Sequence, residues 1–139
     1  MKGIAVLLVG AFLAGCQTTG IRGDQSAVKG PAAMQIGYDS AELFRDQFAV
    51  DSAVWHVANE GKTNVRSAVA QGLRQAGYEV VETFDASADT PDGAHTVAVS
   101  SVDHGGLVVI TIAVNGELLS RGYDMEGGQP VTAWSRRLP

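Results

Sequence analysis

Leu107-Val108-Val109-Ile110-Thr111-Ile112-Ala113-Val114-Asn115-Gly116-Glu117-Leu118-Leu119-Ser120-Arg121-Gly122-Tyr123 is the stretch whose reading decides the fold. Leu107 to Val114 is apolar almost throughout and rich in β-branched residues, the composition of a strand in the middle of a sheet. Asn115-Gly116 is the best hairpin signal in the chain, since both residues tolerate the positive φ of a two-residue turn. Glu117 to Tyr123 then returns as the antiparallel partner.

Working back, His95, Val97, Val99, Ser101 and Asp103 alternate with Ala94, Thr96, Ala98, Ser100 and Val102, which predicts another strand. His104-Gly105-Gly106 turns it into the strand that opens the hairpin. Residues 84–93 are polar, with Thr90-Pro91-Asp92-Gly93 as a turn. Tyr78 to Thr83 reads as a strand. Before it, Val65, Ala68, Val69, Gly72, Leu73 and Ala76 recur at three and four, the period of an amphipathic helix. Thr63 or Asn64 is its expected cap and Gly77 its left-handed stop. Gly72 inside this helix costs roughly 1 kcal/mol against alanine, so a close approach of helix and sheet is expected there. Asn59-Glu60-Gly61-Lys62 is a turn, and Ala53 to Ala58 is a strand. A first helix is expected from Asp39 or Ser40 to about Ala49, with Leu43, Phe44 and Phe48 on its apolar face.

Downstream of the hairpin, Glu126-Gly127-Gly128-Gln129-Pro130 breaks the sheet. Residues 131–137 supply one further edge strand. The element order is therefore α-β-α-β-β-β(-β), an α+β class. It predicts one small domain over 38–139, with a mostly antiparallel sheet and helices packed on one face.

The other end of the chain carries an address. Lys2 precedes the apolar run Ile4 to Phe12, about half the roughly 20 residues a membrane span needs. Residues 1–15 read as a secretory signal peptide. Leu13-Ala14-Gly15-Cys16 resembles a bacterial lipobox, in which the thiol receives a diacylglyceryl group, cleavage frees the cysteine amine, and the amine is acylated. The competing reading is an ordinary signal with a chance cysteine. Cys16 is the only thiol of the chain, so no internal disulfide is available. Two or three acyl chains anchor stably where one does not. Gln17 rather than Asp after the cysteine favours, in the lipoproteins this signal resembles, export to the outer membrane. Residues 16–37, with four glycines and Pro31, read as the lipidated cysteine and a tether. The tether is either a spacer or a peptide that orders on a partner through Ile21, Val28, Met34 or Ile36.

Removal of residues 1–15 from the 139-residue chain leaves 124, enough for one core and too few for two. Loss of Lys2 takes the formal side-chain charge from −5 to −6. An acidic domain without a basic run is a poor ligand for nucleic acid. No Gly-x-Ser-x-Gly motif is present, and the three histidines, His56, His95 and His104, lack the helical spacing of metal ligands. Glu79 and Glu82 lie an odd number apart on a strand, hence on opposite faces. The sequence therefore predicts no enzyme, no metal, no small-molecule substrate, and no cofactor beyond the covalent lipid on Cys16. What remains for partner contact is an exposed sheet edge and the ending Trp134-Ser135-Arg136-Arg137. Trp134, Arg136 and Arg137 are the candidate contacts; the bland alternative has Trp134 packing on its own domain and the arginines solvated.

With these residues in view, the chain resembles the TrbH-type conjugal-transfer lipoproteins of bacterial type IV secretion systems. The resemblance rests on the lipobox and on Val69-Ala70-Gln71-Gly72-Leu73-Arg74-Gln75-Ala76-Gly77-Tyr78-Glu79-Val80-Val81. It rests also on the hairpin Val114 to Tyr123 and on the ending Ala133-Trp134-Ser135-Arg136-Arg137. It implies a lipid-anchored structural subunit of the outer-membrane core complex, its domain on the periplasmic side against larger channel subunits in a ring. Only Cys16 carries over residue by residue. A second reading, an outer-membrane lipoprotein that activates a peptidoglycan synthase, shares the anchor and the small domain but calls for a longer tether.

Overall fold

The computed structural model describes residues 28, 30–60, 63–85 and 92–138. The signal segment, Cys16 and the greater part of the expected tether lie outside the described residues, as do parts of the turns expected at 59–62 and 90–93. The elements run α1 (Gly30–Gln47), β1 (Val54–Ala58), α2 (Asn64–Gln75), β2 (Glu79–Thr83), β3 (His95–His104), β4 (Leu107–Val114), β5 (Glu117–Asp124) and β6 (Ser135–Arg137). The strands form one sheet in the order β2-β1-β3-β4-β5-β6. β1 lies parallel to both β2 and β3, and every later pairing is antiparallel. Both helices cover one face, so the α+β class and the single sheet with one-sided helices hold.

The hairpin forms as its sequence demands. Asn115 and Gly116 have φ of 50° and 88°, the left-handed pair of the tight turn, and register runs unbroken from Val114↔Glu117 to Leu107↔Asp124. Strand alternation sends Val108, Ile110, Ile112 and Val114 of β4 toward the helices, where each is buried. Their neighbours Val97 and Val99, and Trp55 and Val57 beyond them, extend the same inward surface.

α2 ends as predicted. Gly77 takes φ 103°, its N–H donates to Arg74 O, and the Tyr78 N–H donates to Leu73 O, both at 3.0 Å. The Tyr78 hydroxyl then reaches back to the end of α1, donating toward the carbonyls of Phe44 (2.9 Å) and Phe48 (2.5 Å). Phe44 O also accepts the Phe48 N–H at 2.7 Å, while Phe48 lies just past the helix end, where carbonyls lack helical partners. Burial raises the Tyr78 pKa, Arg45 lowers it and Asp51 adds a smaller rise. Thr63 occupies the N-cap of α2 without a side-chain cap bond.

Two expectations are corrected. α1 starts at Gly30, well before Asp39, so residues 30–37 belong to the folded body and not to the tether. Pro31 suits a first helical turn, and Ala33, Ile36, Gly37, Ser40 and Phe44 form one continuous buried stripe at helical spacing. Asp39, expected to cap, lies mid-helix and faces the sheet. Gly72 does not meet the sheet; it meets α1. A Cβ there would lie 2.5 Å from Gly37 O, and a Cβ on Gly37 would fall on the Ala68 carbonyl. The helices cross backbone to backbone at these glycines.

Candidate functional site

The most concentrated polar chemistry joins α1, β5 and the C-terminal segment. On β5, Leu119, Arg121 and Tyr123 share the helix-facing side, so alternation places a guanidinium opposite the buried Ile110. A cation at such a position calls for a partner from the covering layer. α1 supplies it: Arg121 donates from Nη1 to both Asp39 carboxylate oxygens, at 3.1 and 2.9 Å. The Tyr123 hydroxyl donates to Asp39 Oδ2 at 2.5 Å. Burial first, then the hydrogen bond and negative charge of Asp39, raise the Tyr123 pKa far above its ordinary 10.0, against a smaller opposing effect of Arg121. Tyr123 is therefore a neutral donor at every physiological pH.

The same arginine holds the chain end. Its Nε donates to Thr132 O at 2.8 Å, and its guanidinium carbon lies 5.6 Å from the centre of the Trp134 ring. Trp134 also meets the Tyr123 ring edge-on at 6.3 Å. Of the predicted contacts, Trp134 is thus half-buried on its own domain, as the bland alternative had it. Arg136 pairs with Glu117, and Arg137 is exposed on β6. Sequence alone does not bring Arg121, Asp39 and Tyr123 together, because the partners lie 82 and 84 residues apart. The usable signal was Arg121 itself, a charge between Leu119 and Tyr123 on one strand face.

A second cluster lies at the other end of the sheet. Asn59 donates to Glu82 Oε1 (2.9 Å) and Ser67 Oγ (3.0 Å), and Arg74 pairs with Glu82 at 2.8 Å. Glu82 points to the helices and Glu79 away from them, as the strand spacing required. Arg74 also approaches Val80 O at 3.4 Å, covering part of the outer edge of β2. His56 and His95 line a shallow cavity of about 280 Å³ with Asp92. His95 stacks on Trp55 with 4.5 Å between ring centres, and its Nδ1 lies 3.1 Å from Asn115 Nδ2. His104 ends β3, away from that cavity. Among the described residues, no group of three or more His, Cys, Asp or Glu side chains is placed to hold a metal. No described helix is long and apolar enough to cross a membrane.

Fold and site together define a small α+β domain in which the partly buried charges fasten helix, sheet and chain end to one another. The family model described as conjugal transfer protein TrbH matches residues 16–138, and the chain belongs to that family. It is accordingly a conjugal transfer component. No curated protein and no solved structure matches it significantly.

Proposed function

We propose that this protein is a lipid-anchored structural subunit of the outer-membrane core complex of a conjugative type IV secretion system. The observation that carries the reading is where the family match begins: it starts at Cys16, the residue at which the lipobox-like stretch ends. Acyl chains on Cys16 hold the protein in the outer membrane, and the domain hangs on the periplasmic side against larger channel subunits. Its contribution is position and contact. The charged cluster supports that role by fixing the C-terminal segment on the domain, so that Arg137 and the exposed Leu138 are presented from a held strand.

The peptidoglycan-synthase reading needs reach. With Val28 buried in the domain, residues 17–27 span at most about 40 Å when fully extended. That is short for crossing the cell wall, and it favours the channel subunit.

Replacing Cys16 with serine tests the anchor. The Cys16→Ser protein is expected to remain an unprocessed precursor without incorporated palmitate, and mating assays should show loss of plasmid transfer. Normal transfer by that variant would sink the essential-anchor reading. For the partner assignment, detergent extracts of cells carrying the whole transfer system should yield the protein in a large complex. Recovery of the protein alone would overturn the assignment.

A further inference from the structure

β4 presents an unexplained surplus of apolar residues. Its inward positions are buried under the helices, yet Leu107, Val109 and Ala113 on the opposite side are apolar as well. They belong to a sheet face that no described element covers. Alternation and register add Val81, Ala98 and Val102 to it, and Val81 and Val102 are each 45% exposed. Antiparallel strands commonly leave one face to water, but that face is then polar. Parallel strands such as β2-β1-β3 are normally covered on both sides. This face is uncovered, and what lies between its apolar residues is uncharged: the hydroxyls of Ser100, Thr111 and Ser120 across the middle, with Thr96, His56 and His104 toward the ends.

Charge identifies the occupant. In a chain with 18% charged residues, the strand positions on this face carry formal charge only at Glu79, Asp124 and Arg137. Each of these sits at a strand end, two of them on the outermost strands. A partner recognised through charge has nothing to read in the middle of such a surface. A second copy has the opposite need: in a twofold interface the patch meets itself, so any central charge would face its own sign. Central hydroxyls are also prepared for loss of water, since Thr111 Oγ1 and Ser120 Oγ already bond each other at 2.9 Å. The small residues Ala98 and Ala113 there allow the close approach of two sheets, about 10 Å face to face.

Size agrees with a modest affinity. The 39 strand residues, at about 3.3 Å each in strands about 4.8 Å apart, present roughly 600 Å² per copy, or about 1,200 Å² in a pair. That is just above the roughly 1,000 Å² expected of a specific interface. We propose that the uncovered sheet face is a homodimer interface, in which two copies pack sheet to sheet. The inference stands independently of the lipid anchor and of the channel assignment.

The test places photo-crosslinking benzoylphenylalanine at Ala98 in the full chain, produced in cells without other transfer proteins. Illumination should give a covalent species of twice the monomer mass. The same probe in place of Glu42, exposed on α1, should give none. Ala113→Glu puts a carboxylate at the centre of the face and should weaken dimerisation more than about tenfold, from like-charge juxtaposition. Because Ala113 lies on the water-facing side, the variant should match the native chain in melting temperature at dilutions where both are monomeric, which separates loss of contact from loss of fold. Absence of the dimer band at Ala98, equal crosslinking at Glu42, or a dimer unmoved by Ala113→Glu would each overturn the proposal. Crosslinking at Ala98 only to a different protein, and only with the transfer system present, would assign the face to a channel partner and overturn it too.

Discussion

Arg121 is one side chain with three tasks: it neutralises Asp39 on α1, bonds the carbonyl of Thr132 and lies near the Trp134 ring. Both members of the ion pair are mostly buried, with side chains 21% and 13% exposed. Removing one leaves the other as an incompletely compensated charge, which costs more than the net value of the pair. Arg121→Ala should therefore destabilise the domain by about 2–3 kcal/mol, allowing for residual solvent. It should also free the segment 130–138 for proteolysis before the rest unfolds, which timed digestion with mass spectrometry would read. Tyr123→Phe, which removes only the hydroxyl, should cost about 1–2 kcal/mol by chemical denaturation. Tyr123 and Tyr78 both have folded-state pKa values raised above 10.0, chiefly by burial. Each holds its proton more tightly folded than unfolded, so their contribution is fully present below about pH 10 and is lost as pH rises beyond it. Melting temperature should fall as pH rises above about 10, less steeply in Tyr123→Phe than in the native chain.

At the level of elements, α1 carries the main revision. Its first turns were read as tether because Gly30, Pro31 and Gly37 are turn-forming residues when viewed locally. Pro31 instead sits in the first turn, where its missing N–H is harmless, and Gly37 is small because another helix backbone touches it. Ile36 decides between the two readings. It is fully buried, so Ile36→Ala should cost about 2–4 kcal/mol in a denaturant titration. A tether residue would change nothing. Gly72→Ala inverts the usual propensity argument: a gain of about 1 kcal/mol in helix preference meets overlap with the Gly37 carbonyl. A net loss of about 2 kcal/mol is expected, because backbone overlap is relieved only by separating the helices. A Gly72→Ala protein as stable as the native one would show that the crossing is looser than described.

For the whole molecule, the proposed anchor at Cys16 can be tested apart from the fold. Cys16 precedes the folded body, so Cys16→Ser should leave the domain's stability within about 0.5 kcal/mol while abolishing transfer. A large drop in melting temperature would mean that the N-terminal segment packs on the domain. The charge pattern of the folded part points the same way at this scale. Arg121, Arg74 and Arg136 are paired with Asp39, Glu82 and Glu117, and the sheet face that no described element covers carries no formal charge in its middle. Contact through that surface rests on shape and uncharged area rather than on charge steering.

Local chemistry was enough for much of this protein. The Asn115-Gly116 hairpin, the left-handed Gly77 stop, the strands expected at Ala53–Ala58, Tyr78–Thr83, Ala94–Asp103, Leu107–Val114 and Glu117–Tyr123, and the α+β class all follow from residues within a few positions of one another. Turn conformations and side-chain alternation are short-range constraints, and the sequence states them directly. The resemblance to the TrbH family was legible for the same reason, in contiguous stretches. Three things were decided only by tertiary structure: the N-terminal half of α1, the glycine crossing, and the Asp39–Arg121–Tyr123 cluster. Each depends on what lies opposite a residue in space. Asp39 looks like a helix cap until β5, more than 80 residues later, is laid beneath it, because the free energy of a partly buried charge is set by its partner and not by its neighbours in sequence.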